Sequence, residues 1–473
     1  MSTTTQTSAG RRIEALLDDC SFVEIGGLVT ARSTDFNLAD INTPSDGVIT
    51  GYGTVDGRLV YVYSQDSAVL GGSIGEMHAK KIVGIYDMAL KMGAPIIGII
   101  DCAGLRLREA TDALNAFGQI YLKQSESSGV IPQITAVFGN CGGGLALMPS
   151  LTDFTFMEEK NARLFVNSPN TLAGNKELNT ASAAFQSEQA GIVDFVGDEA
   201  SIFDGIRQLL SVLPSNNGDE ALSDCADDLN RLCEGLGDMK ADPAYMLSSL
   251  SDNNIFVETR KNFAKELVTG FIKLNGATVG AVANRSELFG ENGAEQSFDK
   301  TLTTGACYKA AEFVNFCDAF GIPVLTLTDV KGFDAAVASE RSISKAAAKL
   351  THAFASATVP KVNVIVGEAY GSAYVAMNSK AIGADVTYAW RGASIGMMDA
   401  RIAAKIMYAD SPELIDEKAA EYEALQDSAV SAAKRGYVDS IIEPEDTRKY
   451  VIGAFEMLYS KKTPSADRKH ATV

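Results

Sequence analysis

Histidine is almost missing. Three occur in 473 residues, His78, His352 and His470, and neither of the first two stands in a recognisable nucleophile context. Imidazole-rich metal sites and Ser-His or Cys-His catalysis are thereby nearly excluded, and no metal site is expected. Cysteine is scarce and odd in number: Cys20, Cys102, Cys141, Cys225, Cys233, Cys307 and Cys317 fit no zinc-ribbon or disulfide spacing. Basic residues are in deficit, 41 Lys and Arg against 60 Asp and Glu, for a net charge of −19. Duplex nucleic acid and anionic lipid, which need a basic surface, are excluded as main partners. No run reaches membrane-spanning length, and the opening MSTTTQTSAGRR lacks the apolar core of a signal peptide. The chain is expected to be cytoplasmic, without direct membrane insertion.

A large apolar share is present, 46% hydrophobic residues, with 42 glycines, which suits an α/β enzyme of two or three packed domains. The chain is also written twice. KIVGIYDMALKMGAPIIGIIDCAG and KAAEFVNFCDAFGIPVLTLTDVKG align at a constant separation of 228 residues, from Lys81 and Lys309 through Gly93/Gly321, Pro95/Pro323 and Asp101/Asp329 to Gly104/Gly332. The register persists through Pro132/Pro360, Gly139/Gly367 and Gly143/Gly371. Upstream, ITGYGTVDGRLVYV resembles VTGFIKLNGATVGAV, and Phe22-Val23-Glu24 parallels Phe256-Val257-Glu258. The chain is therefore a tandem duplication, roughly 11–212 and 245–455. Domains are expected over 1–46 (an arm and the start of the first repeat), 47–244 and 245–473. The acidic stretch LPSNNGDEALSDCADDLNRLCEGLGD reads as a solvated linker with a short helix.

Within each copy helix and strand alternate. Lys81–Met92 is an amphipathic helix ended by Gly93, and Ile96–Ile100 and Ile131–Phe138 are apolar runs fit for strands buried on both faces. A mostly parallel sheet with helices on its faces results. In both copies such a strand runs into a turn of small residues, NCGGGLAL and AYGSAYVA, that opens a helix. Free N–H groups there can hold a developing enolate oxygen. The plainer reading is a tight turn needing Gly for packing; recurrence in both copies weighs against it. Without a following Lys-Ser/Thr, a phosphate loop is disfavoured.

The segments GVITGYGTVDGRLVYVYSQDSAVLGGSIGEMHAKKI, SGVIPQITAVFGNCGGGLALMPSLTDF, FVNFCDAFGIPVLTLTDVKGF and ATVPKVNVIVGEAYGSAYVAMNSKAIGADVTYAW closely resemble the carboxyltransferase family of biotin-dependent acyl-CoA carboxylases and decarboxylases. The resemblance covers nearly the whole chain. It implies two tandem crotonase-like domains, the first for acyl-CoA and the second for biotin, with the active site shared across a dimer within a trimer of dimers. It implies that Gly143 and Gly144 hold the thioester oxygen as an enolate, and that Ser372 and Ala373 hold the ureido oxygen of biotin. No side-chain acid or base is implied. Gly71 and Gly72 match positions that line the CoA pocket, and Val375 the position that tunes acyl-chain choice, against the plain reading of a helix core residue. Arg106 and Arg108 are candidates for CoA phosphates, against the reading of solvated surface charge. Biotin would arrive on a separate carrier protein, because Ala-Met-Lys-Met is missing and Ala89-Leu90-Lys91-Met92 ends a helix. A biotin carboxylase or a membrane decarboxylase subunit completes the implied set of partners.

Departures from the family cluster in the second copy. Lys331-Gly332-Phe333 replaces Pro-Gly-Phe, Ala346-Ala347 replaces His-Gly, and Met398-Asp399-Ala400-Arg401-Ile402 replaces Met-Gly-Pro-Glu-Gly. In the first copy Ala103-Gly104-Leu105-Arg106 replaces Gly-Gly-Ala-Arg. A crotonase-type hydratase or hydrolase would need a Glu beside the oxyanion pair, and Glu368 flanks the second turn only on its strand side. A scaffold that lost its chemistry is the reading from a different class.

Overall fold

The computed structural model describes residues 7–32, 41–175, 178–290 and 293–463, so His470 lies outside the described residues. Two compact units make up the chain, Met1–Ala221 and Leu222–Val473. Each carries an eight-stranded sheet. In the first the strands lie in the order Val23–Ile25, Val48–Val55, Arg58–Gln65, Ile96–Cys102, Gln133–Gly142, Phe154–Glu158 and Phe195–Gly197, with Arg163–Phe165 set against the end of Gln133–Gly142. In the second the order is Phe256–Thr259, Leu267–Leu274, Ala277–Asn284, Val324–Val330, Lys361–Tyr370, Val386–Trp390 and Ser440–Ile442, with Ser394–Gly396 against the end of Lys361–Tyr370. The first three strands of either sheet pair antiparallel and the remainder parallel. Strand for strand, the repeat is therefore a repeat of topology.

Burial explains the elements. The run Ile96-Ile97-Gly98-Ile99-Ile100 is buried throughout, as a central parallel strand requires. Gly98 leaves room for the Tyr63 ring: a Cβ there would stand 2.2 Å from its hydroxyl oxygen. The helix over Glu76–Met92 buries Ala79, Ile82, Ile85, Tyr86 and Ala89 on one face and stops at Gly93, whose φ of 61° is left-handed. Lys81 and Lys309 are buried in both copies. Lys81 Nζ donates to the Ser45 carbonyl at 2.9 Å, and Lys309 Nζ to those of Phe263 and Leu267 at 2.8 and 2.7 Å. Each lysine ties its helix to the loop entering the second strand, and burial pushes the ammonium groups down to about 8 and about 7.

Ser8–Leu16 forms a helix capped by the Thr7 hydroxyl, which accepts from the Gly10 N–H at 3.2 Å, and it buries Ile13 and Leu16. The stretch expected as a linker packs instead from Leu222 onward into the second unit. Leu222 bridges Ala277, and Cys233 and Leu236 join Met246, Leu247 and Leu250 in the second core. The division thus falls at 221/222 rather than 244/245. A few apolar residues scattered among acidic ones suffice once the helix Pro243–Leu250 offers them a face.

Candidate active site

The same irregularity closes the parallel strands of each unit. Ile100 pairs with Val137 and Cys102 with Cys141, so three residues on one strand oppose a single residue on its neighbour. Thr328/Ile365 and Val330/Ala369 repeat it. Such a bulge bends a strand and re-aims the segment beyond it. The single residues are Asp101 and Asp329, and opposite them stand Gly139 and Gly367, where a Cβ would lie 1.9 Å and 2.3 Å from the aspartate Oδ1. Asp101 accepts from Arg12 Nη1 at 3.3 Å and Ser67 Oγ at 3.0 Å. Asp329 accepts the Glu368 N–H at 2.8 Å and receives the Lys300 ammonium.

Beyond the bulge the chain turns at one positive-φ glycine, Gly143 at 66° and Gly371 at 61°, and enters a short helix, a 3₁₀ turn over Gly143–Ala146 or an α-turn over Gly371–Ala376. The first three N–H groups of such a helix have no acceptor within it, which makes Gly143–Leu145 and Gly371–Ala373 the candidate donors. A Cβ on Gly143 would meet nothing within 4 Å, so the first turn opens outward, while Tyr121 Oη fixes its back by donating to the Gly144 carbonyl at 2.6 Å. Ser372 is exposed and Ala373 buried in the second turn. By the repeat, Gly143–Gly144 correspond to Gly371–Ser372, so the pairs expected from resemblance, Gly143–Gly144 and Ser372–Ala373, are one residue out of step. Both lie inside the three-donor stretches.

Other expected residues divide. Leu70–Gly72 is a turn laid on the end of Ile96–Cys102: the Gly71 carbonyl accepts the Ala103 N–H at 2.9 Å, and a Cβ on Gly72 would stand 2.4 Å from the Asp101 carbonyl oxygen. Both glycines therefore border the end of the strand next to the one that leads into the first turn, Gly72 buried and Gly71 half-buried. Val375 is 36% exposed beside Ser372, not a core residue. Arg108 is exposed. Arg106 is neither solvated nor free for a phosphate: it is buried, with Nη1 at 2.6 Å from Asp46 Oδ1 and 2.8 Å from Glu109 Oε1. A guanidinium so enclosed is structural, because withdrawing it would strand two buried carboxylates.

The polar chemistry near the first turn is muted. His78 is fully buried, its Nδ1 2.9 Å from the Asp46 carbonyl and its Nε2 3.2 Å from Gln65 Nε2, and burial pushes its pKa down to about 3. Burial likewise pushes the Cys102 thiol up to about 12 and Cys141 well above its ordinary value, so neither is a nucleophile. Among the described residues no group of His, Cys, Asp or Glu is arranged to hold a metal ion.

At the second turn Met397 is 72% exposed, and its carbonyl would lie 3.2 Å from a Cβ on Gly371. Behind it Asp427 is buried, with both carboxylate oxygens lacking a hydrogen-bond partner among the described residues. Desolvation, with the charges of Asp399 and Glu423, pushes it up to about 6. In the sequence Glu368 stood out only as the strand-side flank of the second turn, and Lys300 and Asp427 did not stand out; the repeat, which aligns Lys300 with Gly72, was the available signal for Lys300.

The chain matches the carboxyl transferase domain over residues 5–473. It is 38% identical to the methylmalonyl-CoA decarboxylase subunit alpha of Propionigenium modestum, over 98% of this chain and 93% of that one. It is 39% identical to the propionyl-CoA carboxylase beta chain of Roseobacter denitrificans over the same shares. Among solved structures, the transcarboxylase 12S hexamer with hydrolysed methylmalonyl-coenzyme A superposes with a TM-score of 0.92 at 34% identity, covering 99% of this chain and 93% of that one. The likeness runs through both units rather than stopping at either.

Proposed function

Because the chain belongs to the carboxyl transferase domain family, we propose that it is the carboxyltransferase subunit of a biotin-dependent acyl-CoA enzyme, moving a carboxyl group between biotin and the α-carbon of propionyl-CoA or a similar short acyl-CoA. The observation that carries this reading is the bulge and glycine turn built twice, each offering N–H groups that have no acceptor within the short helix they open. In the first unit the N–H groups of Gly143 and Gly144 receive the thioester oxygen. Their dipoles favour the negative charge that gathers there when the α-carbon becomes a carbanion, and removing one such donor typically costs roughly 100- to 1000-fold in rate. Gly71 and Gly72 give the CoA chain close approach beside that turn.

The residues at the second turn fit a neutral bicyclic urea. The N–H groups of Ser372 and Ala373 suit its oxygen, and exposed Met397 offers apolar surface to its rings. Biotin supplies, when bound, the carrier from which the carboxyl group departs or to which it returns. The protein's part is orientation and charge stabilisation, and holding two reactants at contact distance is worth several kcal/mol of barrier by itself.

Relatives of both directions are matched at 38–39% identity, so a decarboxylase α subunit running the same step in reverse is the second reading. Either enzyme needs a biotin carrier protein, with a biotin carboxylase or a membrane decarboxylase subunit beside it, and we place both in or facing the cytoplasm. Assembly of copies into a dimer or a trimer of dimers is supported by the apolar side chains that the helix Ala400–Met407 exposes, Ile402 at 52% and Ile406 at 64%. The purified chain should stay inactive on acyl-CoA until free biotin or a biotinylated carrier is added; robust turnover without either would replace this reading with a hydratase or hydrolase.

A further inference from the structure

The two copies part company at one pair of positions beside the turn. Residue 72 is glycine with φ 62°, and the repeat places Lys300 there: the pairing Leu302/Phe333 in the second unit reproduces the bridge Ile74/Leu105 in the first. Lys300 keeps the left-handed backbone, at φ 54°, although its β-carbon meets a steric penalty there that glycine escapes. At the second position the first copy has Asn140 and the second Glu368. A neutral pair has become an ion pair, with Lys300 Nζ 3.0 Å from Glu368 Oε2 and 3.1 Å from Asp329 Oδ2.

Glu368 makes the pair consequential. Its side chain is 37% exposed, and it precedes by three residues Gly371, where the N–H groups without an intrahelical acceptor begin. A carboxylate is a stronger acceptor for such donors than a neutral urea oxygen. We propose that Lys300 is a positioning residue that holds the Glu368 carboxylate back, so that the N–H groups of the second turn stay open to their ligand instead of being filled by the chain's own glutamate. The strained backbone is retained because the ammonium at residue 300 reaches Asp329 and Glu368 together. This inference rests on the reading of the second turn as the biotin side.

The test uses the full-length oligomer in four forms: wild type, Lys300→Gly, Glu368→Gln and the double variant. Lys300→Gly removes backbone strain but leaves the buried Asp329 carboxylate without its cation, so light scattering and circular dichroism first establish that each variant is folded and assembled. The affinity of Lys300→Gly for free biotin, measured by calorimetry, should fall about tenfold, and carboxyl transfer about 100-fold, with KM for acyl-CoA unmoved. Glu368→Gln should behave as wild type. The double variant should recover biotin binding and transfer, since no carboxylate remains to fill the turn. A Lys300→Gly protein with wild-type binding and transfer overturns the inference, and so does a double variant as impaired as Lys300→Gly, or an impaired Glu368→Gln. Failure of the underlying reading is told apart by the wild type, which would then neither bind biotin nor transfer a carboxyl group.

Discussion

Asp101 occupies the space that a side chain at residue 139 would need: a Cβ on Gly139 would stand 1.9 Å from Asp101 Oδ1, and Asp329 stands 2.3 Å from the same position on Gly367. In each unit this close approach sets the bulge from which the glycine turn departs. Gly139→Ala and Gly367→Ala should each lower the free energy of unfolding by about 1–3 kcal/mol, the usual range for an added methyl in a packed site. Denaturant titration of the assembled protein measures it, and unchanged midpoints would show that the aspartates yield freely.

The first turn is open where the bulge is tight. Proline fixes φ near −65° and carries no N–H, so Gly143→Pro conflicts with a φ of 66° and deletes a donor at once. Gly144→Pro deletes a donor where φ is not left-handed. Both are expected to reduce turnover about 100- to 1000-fold while size-exclusion with light scattering shows the oligomer intact. Near-normal activity in an assembled variant would place the enolate elsewhere.

Much of this was legible in the sequence because duplication doubles every signal. Lys81/Lys309, Asp101/Asp329 and Gly139/Gly367 recur at one separation; the two lysines proved to be buried, and each glycine proved to leave room for the aspartate opposite it. Arg106 was not legible. Its partner Asp46 lies 60 residues upstream, in a loop whose glycine and acidic residues look like exposed turn chemistry. Lys300 was obscure for a different reason: nothing in a lone lysine announces a left-handed backbone. The linker misled because its charges outnumber the few apolar residues, Cys233 and Leu236, that decide where it packs.

Burial of His78 gives a pH signature. Its folded pKa near 3 lies below the ordinary value of 6.5, so between those values the unfolded chain binds a proton that the folded chain does not. Its contribution is therefore complete above 6.5 and is lost as pH falls towards 3, with a slope of about 1.4 kcal/mol per unit while one proton separates the states. His78→Gln should flatten that part of the curve. An NMR titration showing the imidazole charged at about pH 6 in the native protein, close to its ordinary value, would contradict the assignment.

Val375 presents a small apolar wall beside Ser372, 36% exposed. Propionyl-CoA, and to a lesser extent butyryl-CoA, should be preferred over acetyl-CoA, in graded fashion, because one methylene in an apolar pocket is worth only about 1–3 kcal/mol. Comparing kcat/KM for the three thioesters in wild type and Val375→Asp tests it. Unchanged ratios in a folded variant would remove Val375 from the acyl pocket.

Carboxyl transfer itself is the claim on which the others depend, and isotopic label tracks it directly. Methylmalonyl-CoA carrying ¹⁴C in its free carboxyl group, incubated with the purified oligomer and a biotinylated carrier protein, should yield label on the carrier and unlabelled propionyl-CoA in equal amounts. Gly143→Pro and Ser372→Pro should each abolish the transfer. Propionyl-CoA formed at an undiminished rate without any biotin present, or label that never reaches the carrier, would contradict the account.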